Sequence, residues 1–202
     1  MYYSTLSIEY CVERIFKTMN KLSYSLRRLS LCDMAIVWVK NRESMNILRI
    51  FLSKNRDSVC KNIKKLFPRA KQRQDKKISF IAKKIRFYSK GKHTHFNSAL
   101  LKKSTPPGFQ LVVYRAISQI PYGRVITYKN LARIIGTKSF RAVGNALAKN
   151  PFPIIIPCHR VVSSNRRIGG FQSGENLKKD LLRLEGITFD RKGRILEKFF
   201  LK

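Results

Sequence analysis

The chain has 202 residues, with 43 Lys or Arg against 11 Asp or Glu and a formal net charge of +32. That imbalance selects polyanionic partners, nucleic acid ahead of an acidic membrane surface, because without them the chain would repel itself. A hydrophobic content of 44% and an aromatic content of 11% exclude a disordered basic tail, and no apolar run approaches the roughly 20 residues that cross a bilayer.

Residues 1–31 carry Val12, Ile15, Phe16 and Met19 at the spacing of one helical face and read as a basic amphipathic extension of unassigned role. From Met34, "MAIVWVK" and "NILRIFLS" are apolar, β-branched runs joined by "NRES", the pattern of a hairpin. "RDSVCKNIKKLF" and "KKISFIAKKIRFYSKG" are helical, the second with Ile78, Ile81, Ala82 and Ile85 on one face and Gly91 just beyond its end. "HTHFNSALL" reads as extended, and "KKSTPPG" breaks the chain. The expected division is an extension over 1–31, a small α/β domain over 32–103 and a second domain over 104–202.

In the second domain, "FQLVVYRAISQI" sets Phe109, Val112, Val113, Ala116, Ile117 and Ile120 on one helical face ahead of "PYG". Thr127 caps a short helix with Leu131, Ile134 and Ile135 inward and Gly136 at its end. A further helix, "SFRAVGNALAKN", follows with Ala142, Val143, Ala146 and Leu147 inward. Two short helices around a glycine-containing turn form a helix-turn-helix whose second member meets DNA, presenting Arg141, Asn145 and Lys149, with the small Gly144 and Ala146 allowing close approach. "HRVV" and "IGGF" around "SSNRR" suggest a hairpin, the wing of a winged helix. "ENLKKDLLRLEG" closes the domain with Leu177, Leu181 and Leu184 inward.

Cys11, Cys32, Cys60 and Cys158 form no CxxC pair, which favours free thiols in a reducing compartment. In isolation a cysteine after "IIIP" is a small buried hydrophobe. Cys158, however, is followed by His159 and Arg160, and positive surroundings depress a thiol below its usual value of about 8.5, which makes a thiolate nucleophile the second reading. In an extended segment His159 could not reach Cys158 directly, so a turn or a bridging water is required. Glu185 sits in the last turn of a helix, where the helix dipole disfavours a carboxylate, so it is either a partner of this site or one half of a surface ion pair.

The run "FQLVVYRAISQIPYGRVITYKNLARIIG", "RAVGNALAKNPFPIIIPCHRVV", "IGGFQSG" and "LLRLEG", over about residues 106–187, resembles the catalytic domain of the O6-alkylguanine-DNA alkyltransferases, the methylated-DNA-protein-cysteine methyltransferases. The resemblance implies a mixed α/β (α+β) fold, with a small ribonuclease-H-like N-terminal domain followed by a winged helix-turn-helix catalytic domain. It implies that Cys158 takes a methyl or alkyl group from guanine O6 in double-stranded DNA, once per molecule and without a cofactor or metal. O4 of thymine is a further target that the residues neither require nor exclude. His159 would remove the thiol proton through a water, Glu185 would orient His159, Asn150 would brace the turn, and Tyr128 would donate to the base ring. Pro157 would turn the thiol toward a base pocket formed with Val161, Phe171 and Gln172, behind a buried strand at Ile154–Ile156. On the DNA side stand Arg141, the finger that fills the vacated stack, with Ala142, Gly144 and Asn145 on the same helix, which the family lays in the minor groove.

Phe171 stands where many members carry tyrosine, and "FQSGENLKK" departs from their glycine-rich loop. Cys11, Cys32, His93 and His95 match no zinc spacing. The rival functions are an alkyltransferase-like lesion binder, whose relatives replace the cysteine that is present here, a basic winged-helix DNA binder, and a cysteine hydrolase. The resulting expectation is a monomer, free of membranes, working in a nucleoid-bearing cytoplasm or a nucleus.

Overall fold

The computed structural model describes residues 22–40, 44–96 and 108–201. The amphipathic face at Val12 to Met19, most of "NRES", the end of "HTHFNSALL" and the linker up to Gly108 lie outside the described residues.

Three strands, β1 (Leu22–Arg28), β2 (Asp33–Lys40) and β3 (Met45–Ser53), run antiparallel, and β4 (Lys71–Gln72) joins β1 in parallel, giving the order β3-β2-β1-β4. The sheet therefore begins one strand earlier than expected. Leu22–Arg28, read from sequence as part of the extension, pairs with β2 from Leu22 opposite Val39 to Arg28 opposite Asp33. Its signal was weak because the buried face carries Ser23 and Ser25, while Leu22, Tyr24 and Leu26 are only partly covered.

The central strand β2 is buried on both faces, as its unbroken apolar run requires. Ala35 and Val37 pack against helix α1 (Arg56–Leu66) through Val59 and Ile63. Met34, Ile36 and Trp38 face helix α2 (Lys76–Tyr88), which buries Ile78, Ile81, Ala82 and Ile85 as expected and continues the stripe with Tyr88. Asn55 and Asp75 cap the two helices by accepting backbone N–H groups at 2.8 and 2.9 Å. The segment at 93–96 forms no strand.

The remaining elements are α3 (Gly108–Ser118), β5 (Ile126–Thr127), α4 (Tyr128–Ile134), α5 (Phe140–Ala148), β6 (Val161–Val162) and α6 (Glu175–Leu184). The buried stripe of α3 is rotated from the expected one. Val113, Tyr114 and Ile117 are inside, whereas Phe109 and Val112 are 40% and 46% exposed. The cause is the contact with α5, where the Tyr114 hydroxyl donates to the Ala146 carbonyl at 2.9 Å. That contact also buries Ala146, so it does not ease the approach of α5 to DNA. Thr127 and Ser139 cap α4 and α5, and Gly136, with φ of +74°, makes the turn between them. Ile134, expected inside, is 63% exposed.

Two further expectations fail around Cys158. The strand "HRVV" pairs in parallel with β5 and not with "IGGF", and a tight loop with Ser163 N donating to the Arg167 carbonyl replaces the hairpin. Ile154–Ile156 is a bend and not a strand. Ile154 has φ of +74°, a costly conformation for a β-branched residue. The bend is held by the burial of Phe152, Ile154 and Ile156 and by the Asn150 side chain, which binds the Phe152 N–H and the Ile156 carbonyl.

The two halves of the chain share one apolar cluster running from Ile36 and Trp38 to Val113, Ile117 and Cys158. The Ile50 N–H donates to the Pro151 carbonyl at 2.8 Å and Lys54 pairs with Asp180 at 2.6 Å. The first bond docks the sheet edge against the bend that leads into Cys158, and the second docks it against α6.

Candidate active site

Cys158, His159 and Arg160 form one 3-10 turn between the bend and β6, so the turn required for cooperation between the first two residues is present. Cys158 is 4% exposed and His159 is fully buried. The Asn150 amide donates to Cys158 Sγ at 3.0 Å and to the Ile156 carbonyl at 2.9 Å, and its own carbonyl receives Gln172 Nε2 at 2.8 Å. Asn150 thus ties the thiol and the bend to its side chain and the loop over the site to its main-chain carbonyl.

Burial pushes the Cys158 thiol up, and the Asn150 hydrogen bond and the Lys178 charge only partly offset it. This reverses the expectation drawn from the basic composition. The charge is mostly on the surface, where water screens it, whereas the thiol lies in the core. A thiol held in its neutral form needs a base at the moment of reaction.

His159 Nε2 lies 3.0 Å from Glu185 Oε1, while its Nδ1 is buried with no hydrogen-bond partner among the protein atoms. Burial holds the imidazole below its ordinary range despite the neighbouring carboxylate, so the ring rests neutral and able to accept a proton. Glu185 follows α6 directly and is 4% exposed. It accepts from Arg160 Nε at 3.1 and 3.0 Å and from Arg160 Nη2 at 2.8 Å. Gly123 N donates to it at 3.1 Å and the Tyr88 hydroxyl at 2.6 Å. Burial works to raise this carboxyl, but its contacts with His159 and Arg160 outweigh that and hold it below the ordinary carboxylate range. With His159 neutral, the guanidinium of Arg160 is the standing counter-ion.

A cavity of about 320 Å³ opens over the thiol, lined by Tyr128, Gly144, Leu147, Ala148, Cys158, Gly170, Phe171 and Gln172. Gly144 borders it because α5 passes close to Tyr128, whose Cε1 would lie 4.0 Å from a Cβ at that position. Pro157 and Val161 are buried behind the wall. Arg141 and Asn145 are exposed on α5 and Ala142 is half-buried, all outside the cavity lining.

Sequence reading missed Lys178 and Tyr88. Lys178 is fully buried, donates to the Val161 carbonyl at 2.7 Å and the Gly170 carbonyl at 3.1 Å, and lies 5.7 Å from the centre of the Tyr128 ring. Burial brings its ammonium down to about 8. The available signal was its place beside Leu177 on the inward stripe of α6. Tyr88 was legible as the next position of the α2 stripe. Of the zinc candidates, Cys11 is outside the described residues, Cys32 is in the apolar core, and the His93 ring packs edge-on to Tyr122 at 5.2 Å.

Residues 108–187 match the family model of the 6-O-methylguanine DNA methyltransferase DNA-binding domain. A methylated-DNA–protein-cysteine methyltransferase of Saccharolobus solfataricus is 44% identical over 115 residues, which span 57% of this chain and 74% of that protein. The chain belongs to the methylated-DNA–protein-cysteine methyltransferase family. The homologous enzyme of Metallosphaera sedula is 45% identical over 104 residues, covering 52% of this chain and 65% of that one. Among solved methyltransferase structures, that of Pyrococcus kodakaraensis aligns with a TM-score of 0.62 and 28% identity over 81% of this chain and 99% of that one. The Mycobacterium tuberculosis protein in complex with DNA aligns with a TM-score of 0.63 and 26% identity over 81% and 92%. The mixed α/β fold is therefore that of the methyltransferases across both halves of the chain.

Proposed function

We infer that the protein repairs DNA by moving an alkyl group from guanine O6 to its own Cys158. The observation that carries this reading is the thiol of Cys158 at the wall of a base-sized cavity, with a neutral His159 beside it in the same turn and an ionised Glu185 behind. Sγ forms a bond to the alkyl carbon as the bond from that carbon to O6 breaks. The thiol proton passes through a water to His159 Nδ1, the one ring nitrogen without a protein partner, and Glu185 stabilises the imidazolium that results. The electron pair leaves on the guanine, which takes a proton from the Tyr128 hydroxyl at the cavity wall. Burial, with the nearby Cys158, puts that phenol at about 12, so it enters the reaction protonated.

The product is a thioether, which no group in the site can hydrolyse, so each molecule acts once. The driving force lies in the alkylated base, and the step needs no cofactor. Asn150 braces the turn, Gln172 and Phe171 cover the flipped base, and main-chain groups near Val161 meet its edge. Arg141, with Ala142, Gly144 and Asn145 beside it on α5, enters the duplex from the minor groove and fills the gap the base leaves. The N-terminal half, from the sheet at Leu22 through α2, is a ribonuclease-H-like unit, and α3 to α6 form the winged helix-turn-helix unit. The protein works as a monomer on double-stranded DNA, in cytoplasm or nucleus. No helix among the described residues is long and apolar enough to cross a membrane.

The test is a duplex carrying one O6-methylguanine, followed by intact protein mass and peptide mapping. One methyl group in place of a hydrogen on Cys158, saturating at one per protein and absent in Cys158→Ala, is the expected result. Lesion-selective binding without any mass change would make the protein a lesion binder and sink the transfer mechanism.

A further inference from the structure

Tyr88 ends α2, in the half of the chain that carries neither the thiol nor the DNA-reading helices, and it is 1% exposed. Its hydroxyl lies 2.6 Å from Glu185 Oε1 and 3.0 Å from His159 Nε2, and that nitrogen lies 3.0 Å from the same Oε1. These three atoms close a triangle, and its protons can be placed in one way. The carboxylate is ionised and only accepts. The phenol stays protonated, because burial and the carboxylate both push it well above its ordinary range, and its hydrogen goes to the shorter contact, at Oε1. The phenol then presents lone pairs to Nε2, so Nε2 must carry the ring hydrogen. His159 Nδ1 is left unprotonated and without a protein partner.

We propose that Tyr88 is a positioning residue of the transfer reaction: its hydroxyl, brought in by the N-terminal half, locks Glu185 and His159 in the arrangement that leaves Nδ1 free for the Cys158 proton. This rests on the reading above, in which His159 takes that proton. The N-terminal half is then part of the catalytic apparatus. Its sheet and α2 bury Tyr88 in the shared core, and the edge contacts of the Tyr88 ring with Phe96, Tyr122 and His159, at 6.2 to 6.3 Å between centroids, hold the hydroxyl in place. A phenylalanine would keep that packing and lose the triangle.

The groups facing His159 are Glu185 and Lys178 at α6, Arg160 on its own turn, and Tyr88 on α2. Glu185 favours the imidazolium, whereas Arg160 and Lys178 oppose it. The Tyr88 hydroxyl draws off part of the Oε1 charge through the shortest bond of the triangle, which keeps the resting ring neutral. Removing it returns that charge to His159, so the base is consumed at a higher pH before a thiol proton arrives.

The experiment compares the full chain with Tyr88→Phe by histidine nitrogen NMR, which has three histidines to resolve, and by single-turnover methyl transfer across pH. In the wild type, His159 should be the neutral Nε2–H tautomer at pH 7. In Tyr88→Phe its protonation and the acid limb of the transfer rate should both move up by about one unit, the scale of one hydrogen bond to a carboxylate. Affinity for the duplex should stay within error, and the melting temperature should fall by no more than the loss of one buried hydrogen bond, with the chain still folded. An Nδ1–H tautomer in the wild type, a measurement that needs no variant, overturns the proposal. So does an unmoved profile in a folded Tyr88→Phe. A wild type that transfers no methyl group would overturn the repair reading separately, while the nitrogen shifts still decide whether Tyr88 sets the tautomer.

Discussion

Glu185 accepts hydrogen bonds from Tyr88, His159, Arg160 and Gly123, whereas the thiol of Cys158 receives one side-chain donor, the amide of Asn150, and borders a cavity. Both groups are almost fully buried. The difference fits what each has to do in the proposed transfer. A carboxylate that only stabilises charge can be saturated with donors, which hold it ionised and fixed. In the proposed transfer a nucleophile held the same way would have its lone pairs engaged, and the fold gives the thiol one side-chain donor and open space.

If that contrast is right, the largest loss of stability should come from the saturated side. Glu185→Ala strands the Arg160 guanidinium and several buried donors, and urea denaturation should show a loss of about 3–5 kcal/mol. A loss under about 1 kcal/mol would mean that water replaces the carboxylate and the network is not tight.

On the thiol side the main charge effect is remote. Lys178→Met removes the buried cation that offsets the raised thiol, so Cys158 should react with iodoacetamide only at higher pH, and methyl transfer at pH 7 should slow by about tenfold. The same substitution sharpens the comparison through pH. Because the folded-state value of Lys178 is about 8 against 10.5, the unfolded chain binds more protons between these values, and stability gains with rising pH across that window. Lys178→Met should lose this contribution, read as a smaller pH dependence of the melting temperature.

The smallest effect is expected at the cavity rim. A Cβ at Gly144 meets Tyr128 Cε1 at 4.0 Å, an ordinary contact, so Gly144→Ala should stabilise α5 by about 0.5–1 kcal/mol. It narrows the space over the thiol, and transfer of a benzyl group should slow more than transfer of a methyl group. Equal slowing of both would place the alkyl group elsewhere in the cavity.

Periodicity found the stripe of α2 and the caps at Thr127 and Ser139, since a face with Ile78, Ile81 and Ile85 buries the same way on any partner. It missed β1, whose inward positions are serines, and it misplaced the stripe of α3, where Tyr114 turns inward to reach α5. It also took Ile154–Ile156 for a strand, because three isoleucines have strand propensity and no local signal reveals the Asn150 clamp that bends them. At the site, Cys158, His159 and Glu185 were legible from the run PCHRV and from an acid set against a helix dipole.

The sequence by itself determined the candidates for the proposed chemistry, because a nucleophile, its base and an orienting acid must be particular side chains, and it determined the stripe of α2, because that face follows from spacing. Only the tertiary structure decided their protonation. The thiol is raised despite the basic composition, His159 is neutral, Lys178 is brought down to about 8, and Tyr88 enters the site across many residues of chain. The physical reason is that desolvation and hydrogen bonding depend on what surrounds a group in space, and in this protein those neighbours come from both halves of the chain.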